Sequence, residues 1–90
     1  MPVYRVSFDA GLAGKRAERI ASAVRAQGTW CKVSESDYLV RAKTQQAAEV
    51  FGRIEPVLAR RDRLLVTRVT PNLQGVLSES QWAWVKDNVR

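Results

Sequence analysis

Apolar and polar residues alternate from Pro2 to Asp9, with Tyr4, Val6 and Phe8 at every second position and Arg5, Ser7 and Asp9 between them. A period of two belongs to a strand with one buried and one exposed face. Gly11 and Gly14 interrupt it. Ala13, Ala17, Ile20, Ala21 and Val24 then recur every three or four residues until Gly28, the spacing of an amphipathic helix that stops at a glycine cap. Lys15, Arg16, Arg19 and Arg25 lie on its outer side. Two short strand-like runs follow, Trp30 to Glu35 and Asp37 to Lys43; separated only by Ser36, they predict a hairpin with Tyr38, Val40 and Ala42 as its apolar face. Thr44 is the expected cap of a second helix with the stripe Ala47, Val50, Phe51, Ile54 and Leu58. Gly52 weakens that helix and Pro56 removes a backbone hydrogen bond, so a kink or an end is expected near Glu55. Asp62 to Val69 reads as a last strand, apolar on both sides in its first half. Pro71 to Leu77 is turn-rich. Ser78 and Gln81 then offer a capping box for a short helix bearing Trp82, Trp84, Val85 and Val89.

The order strand, helix, strand, strand, helix, strand predicts the split βαβ arrangement of a ferredoxin-like α+β domain over residues 1–70, with an antiparallel four-stranded sheet. Residues 71–90 form a connection and a helical tail that packs on the domain or on a second copy. If Tyr4, Val6, Phe8, Tyr38, Val40, Ala42, Leu65, Thr67 and Val69 face the helices, alternation sends Arg5, Ser7, Asp9, Leu39, Arg41, Lys43, Leu64, Val66 and Arg68 to the other side. A face mixing leucine with arginine needs a cover, and the expectation is a homodimer. Trp82 and Trp84, two apart, point about 200° from one another on a helix, so they are not expected to share one core.

Composition narrows the chemistry. Ninety residues, 46% apolar and 27% charged, make one globular domain, and no apolar run is long enough to span a membrane. With no leader-like start, the expectation is a cytoplasmic protein. Histidine is absent and Cys31 is the single cysteine, which excludes an internal disulfide, thiolate zinc sites and histidine-based nucleophilic catalysis. Cys31 reads as apolar filler. The formal charge of +6 comes from fifteen Lys and Arg residues against nine acids. That balance suits polyanions, nucleic acid first among them, and suits a merely soluble protein equally well.

Several segments also resemble a known family. The strand Val3-Tyr4-Arg5-Val6-Ser7-Phe8-Asp9, the Gly28-Thr29-Trp30 helix exit, Glu35-Ser36-Asp37-Tyr38-Leu39-Val40 and Asp62-Arg63-Leu64-Leu65-Val66 are similar to small bacterial and phage SinR-like proteins. Those belong to a wider group with the small CRISPR adaptation protein (Cas-two), VapD-type toxins and the GhoS-type antitoxin. The likeness spans roughly residues 2 to 70 and implies a ferredoxin-like homodimer. In the Cas-two group the first strand ends in an aspartate that, paired with its copy across the dimer, holds a divalent cation for phosphodiester hydrolysis; Asp9 matches it. The resemblance thus implies a possible endoribonuclease in which Asp9 binds Mg²⁺ or Mn²⁺ and Ser7, two residues away on the same face, orients water. Members of the group also bind nucleic acid without cutting it, and a strand-end aspartate also serves as a cap or turn residue.

The candidate nucleic-acid contacts are Arg5, Arg41 and Arg68 on the face away from the helices and the Arg60, Arg61, Arg63 turn, together with Lys15 at a helix start. Gly11-Leu12-Ala13-Gly14-Lys15 is not a Walker loop: Asp9 stands where its first glycine belongs, and Arg16 where Ser or Thr belongs. The alternative to nucleic acid is a protein-binding module whose basic surface docks an acidic partner in a toxin-antitoxin, defence or phage counter-defence system.

Overall fold

The computed structural model describes residues 1–9 and 14–90. Its elements are β1 (Val3–Asp9), α1 (Gly14–Arg25), β2 (Gly28–Ser34), β3 (Asp37–Ala42), α2 (Ala47–Ile54), a 3₁₀ turn (Glu55–Val57), β4 (Arg63–Val69) and α3 (Glu79–Asn88). The strands form one antiparallel sheet in the order β2-β3-β1-β4, the ferredoxin-like arrangement. Ala13, placed above in the first helix stripe, and the Gly11–Ala13 part of the glycine-rich stretch lie outside the described residues.

One core lies between the sheet and the helices α1 and α2. Tyr4, Val6 and Phe8 of β1 and Tyr38, Val40 and Ala42 of β3 meet Ile20, Ala21 and Val24 of α1 and Val50 and Ile54 of α2. The alternation of β1 and β3 holds, the α2 stripe holds without Phe51, which does not join this core, and Tyr4 keeps its hydroxyl satisfied by donating to the Thr44 carbonyl at 2.8 Å. Pro56 ends α2 as expected, turning the chain into 3₁₀ geometry. Two cap assignments are corrected. Gln46 precedes α2 without capping it through its side chain, whereas the Thr44 hydroxyl only accepts from the Gln46 amide at 3.3 Å. Gly28 is no helix cap either. The helix stops at Arg25, and Gly28 opens β2 with φ +158° so close to β3 that a Cβ there would sit 1.9 Å from the Arg41 carbonyl oxygen.

The phase of β4 is the reverse of the one expected. Phe8 pairs with Leu64, Val6 with Val66 and Tyr4 with Arg68, so these three β4 residues share the helix side of the sheet. Leu64 and Val66 pack against the helix-side core; Leu65, Thr67 and Val69 face the other way. Apolar residues at 64, 65 and 66 fit either phase. The observed one places two aliphatic side chains under the helices and spares the core a threonine hydroxyl.

The opposite face is covered over much of its area. The segment from Pro71 to Ser78 crosses back and α3 lies on the sheet, where Val85 joins Val3, Cys31 and Leu39 in a second cluster bordered by Val69, Leu73 and Leu77. The predicted capping box starts α3: Gln81 N–H donates to the Ser78 hydroxyl and the Gln81 side chain accepts from Ser78 N–H. Gln81 also donates to the carbonyls of Lys32 and Val33, and Asn88 accepts from Arg41 at 3.2 Å, pinning both ends of the helix to β2 and β3. Both Trp82 and Trp84 pack against this cluster, contrary to the expectation that they part. The cluster has two walls, sheet and returning chain, and indoles on opposite sides of a helix can reach both. Leu39 is thus under α3, with Leu64 and Val66 under the other helices. The apolar face on which the homodimer was argued is not bare. What stays open on it is a strip by β4 where Leu65 is 66% exposed.

Candidate functional site

The residues singled out from sequence separate into two ends of the sheet and one point between. A seven-residue strand spans about 20 Å, so the ends are distinct surfaces. At the end where β1 finishes, Asp9 stands opposite Arg63, and Ser7 opposite Leu65 and Asp37. Ser7, Asp9, Arg63 and Leu65 line one shallow hollow. Nearby, the Asp62 carboxylate, its side chain only 2% exposed, accepts from the Ala59 amide at 2.7 Å and pairs with Arg16 of α1. That link ties the Arg60–Arg63 turn to the start of α1, where Lys15 is exposed. Arg60, Arg61 and Arg63 are exposed around it, and Arg63 donates to the carbonyls of Arg61 and Asp62.

Asp9 brings one carboxylate to this corner, with a guanidinium across from it. Among the described residues no three His, Cys, Asp or Glu side chains converge to hold a metal ion. One carboxylate and one hydroxyl from a single chain do not make the oxygen cage that Mg²⁺ or Mn²⁺ needs. A cation here would require a second copy of Asp9.

Between the ends, Arg5 is engaged. Its guanidinium grips Asp37 with Nε at 3.0 and 3.1 Å from the two carboxylate oxygens and Nη2 at 2.5 Å, a forked pair across neighbouring strands. The hydrogen bond to Asp37 and then its charge raise the Arg5 pKa, against a smaller lowering by burial. Arg5 therefore holds β1 to β3 and presents a neutralised pair, which makes it a poorer phosphate ligand than its exposure suggests.

The other end, where β1 starts and β3 finishes, carries the larger concentration of uncompensated charge. Arg41, Lys43 and Arg53 converge with Gln27, Gly28 and Thr29 on an open cavity of about 590 Å³. No Asp or Glu lines it. Arg53 reaches in from the last turn of α2 and donates to the Gln27 side chain at 3.5 Å; Arg41 is held by Asn88. Met1 also borders a neighbouring hollow lined by Arg68 and Arg90, again without an acid. Arg68 lies on the helix side of the sheet, not with Arg5 and Arg41 as expected. The sequence reading missed Arg53 and Arg90. Arg53 comes from a different element, and the available signal was its place in the last turn of a short helix that must return over the strand start.

Trp30, at the edge of the sheet beside this cavity, was read only as part of a strand. It is 43% exposed, with the Arg25 guanidinium 5.5 Å from its ring centroid. Cys31, its neighbour, is buried, and desolvation pushes its thiol pKa up, as expected of inert filler. Among the described residues no helix is long and apolar enough to cross a membrane. Compared with family models and with curated proteins, the chain matches none.

Proposed function

We propose that this protein binds nucleic acid through phosphate contacts, with little base preference, and that the cationic cavity at the start of β1 is the principal contact. The observation that carries this reading is the convergence of Arg41, Lys43 and Arg53, with Arg68 and Arg90 alongside, in linings that contain no acidic side chain. By contrast, Arg5, Arg16, Arg25 and Lys32 each have a carboxylate partner. Planar guanidiniums grip phosphate oxygens in a fork and lysine adds a point charge, so the set suits a polyanion's backbone. The Arg60, Arg61, Arg63 turn is a second basic surface about 20 Å away.

The test is binding of labelled RNA and duplex DNA by fluorescence anisotropy as salt is varied. Five phosphate contacts predict a loss of roughly 500-fold in duplex affinity between 50 and 200 mM salt. Lys43→Glu, an exposed change, should weaken binding to any sequence. Absence of binding at 50 mM salt overturns the reading, and partners retained from lysate after nuclease treatment would point instead to a protein-docking module.

A further inference from the structure

Resting on that phosphate-binding reading, we propose that the ligand is single-stranded nucleic acid, with one base stacked on Trp30 while Arg41, Lys43 and Arg53 hold the adjoining phosphates. A duplex-binding patch needs cations alone. Here an aromatic ring stands open beside them.

Trp30 is unlike the other aromatic residues of the sheet. Tyr4, Phe8 and Tyr38 are buried at 0 to 5% exposure, whereas Trp30 is 43% exposed. It sits on β2, an edge strand, at the end of a row of rings. Phe8 stacks on Tyr38 with centroids 6.2 Å apart, and Tyr38 meets the indole at 6.0 Å with the planes tilted by 59°. The Arg25 guanidinium caps the ring and is itself held by Glu18 and by the Tyr38 hydroxyl. The indole is therefore backed by the core and oriented before any ligand arrives; Arg25 lies over one of its faces, and 43% of the residue stays exposed.

The cavity begins next to it. Gly28 lines the cavity and shares a strand face with Trp30, two residues and about 6.7 Å away. Having no side chain, Gly28 puts nothing between ring and cations. An exposed aromatic beside a cationic track is the combination by which proteins hold single strands: every base has a face to stack, and the backbone supplies the charge. In an intact duplex the bases are already stacked on one another and offer the ring nothing.

The experiment titrates labelled oligo(dT) and oligo(U) of about ten nucleotides, a duplex of the same length and poly-glutamate into wild type, Trp30→Ala, Trp30→Phe and Lys43→Glu, with thermal melting as a check on folding. Both single strands should bind wild type more tightly than the duplex or poly-glutamate. Trp30→Ala should lose roughly 5- to 150-fold on single strands and nothing on the duplex, and Trp30→Phe should recover most of that loss. Lys43→Glu should weaken all arms. Unequal binding of oligo(dT) and oligo(U) would identify which sugar the site prefers and still support the proposal. Duplex binding as tight as single-strand binding, or Trp30→Ala equal to wild type on single strands, overturns it while leaving the phosphate reading intact. Preference for poly-glutamate, or no binding of any nucleic acid by wild type, overturns both.

Discussion

Substituting alanine at two glycines should move stability in opposite directions, and the structure supplies the reason for each sign. At Gly28 the added methyl would stand 1.9 Å from the Arg41 carbonyl oxygen, well inside the 3.0 Å below which Cβ atoms are essentially never found. Relief requires β2 and β3 to part by about 1 Å where Gly28 pairs with Ala42 and Thr29 with Arg41, and a hydrogen bond near 2.9 Å does not survive that separation. Losing one or two ladder bonds at about 0.5–1.5 kcal/mol each predicts a cost of about 0.5–3 kcal/mol. In a domain of this size each kcal/mol is worth about 4–8 °C, so Gly28→Ala should melt at least about 2 °C lower. At Gly52, inside α2, nothing lies within 4 Å of the added methyl. Alanine there should stabilise by about 0.5–1 kcal/mol through its helix preference. Thermal and urea unfolding followed by circular dichroism measure both. A Gly28→Ala protein within 2 °C of wild type, or a Gly52→Ala protein less stable than wild type, would refute the packing argument.

Cys31 carries a pH signature: burial raises its pKa in the folded state, so above the unfolded value near 8.5 the unfolded chain loses a proton that the folded one retains, and stability should fall as pH rises. Urea midpoints at pH 7, 8.5 and 9.5 for wild type and Cys31→Ala would show it; the same decline in the variant would mean another group is responsible. Truncating Val85, 7% exposed on the sheet-facing side of α3, should cost about 1–2 kcal/mol, whereas Leu65→Ala, at 66% exposure, should change stability by less than about 0.5 kcal/mol. Equal melting temperatures for those two variants would mean that α3 does not stay on the sheet in solution.

Most of the architecture was legible because β1 and β3 alternate cleanly and α1 repeats its small apolar residues at helical spacing. The phase of β4 was not, since Leu64, Leu65 and Val66 satisfy either face and only the competition between Leu64 with Val66 and Leu65 with Thr67 for the helix core decides it. That one-residue ambiguity displaced Arg68 to the wrong face, because a slip of one reverses every side chain of a strand. Whether α3 covers its own sheet or a second copy stayed open for a different reason. The helix is anchored by Gln81 and Asn88 as much as by Val85, and polar anchors leave no apolar stripe to read. The cationic cavity draws Arg41 and Lys43 from one strand end and Arg53 from a helix, so its composition depends on where α2 turns back. Trp30 went unnoticed because edge and centre of a sheet look alike until strand order is known.

The strand order also governs how the chain is made. β1 ends up in the middle of the sheet, where Val3 pairs with Arg41 on one side and Val69 on the other and packs beneath Val85. During synthesis at about 5–20 residues per second, β1 waits about 3–12 s for β4 to be polymerised. The hairpin of β2 and β3 and the turns of α1 need only close neighbours and so do not depend on β4. The strand at the centre of the finished sheet is thus the one left longest without its full set of neighbours. Arg5, Ser7 and Asp9, spaced between Tyr4, Val6 and Phe8, break up what would otherwise be a sticky apolar run during that interval.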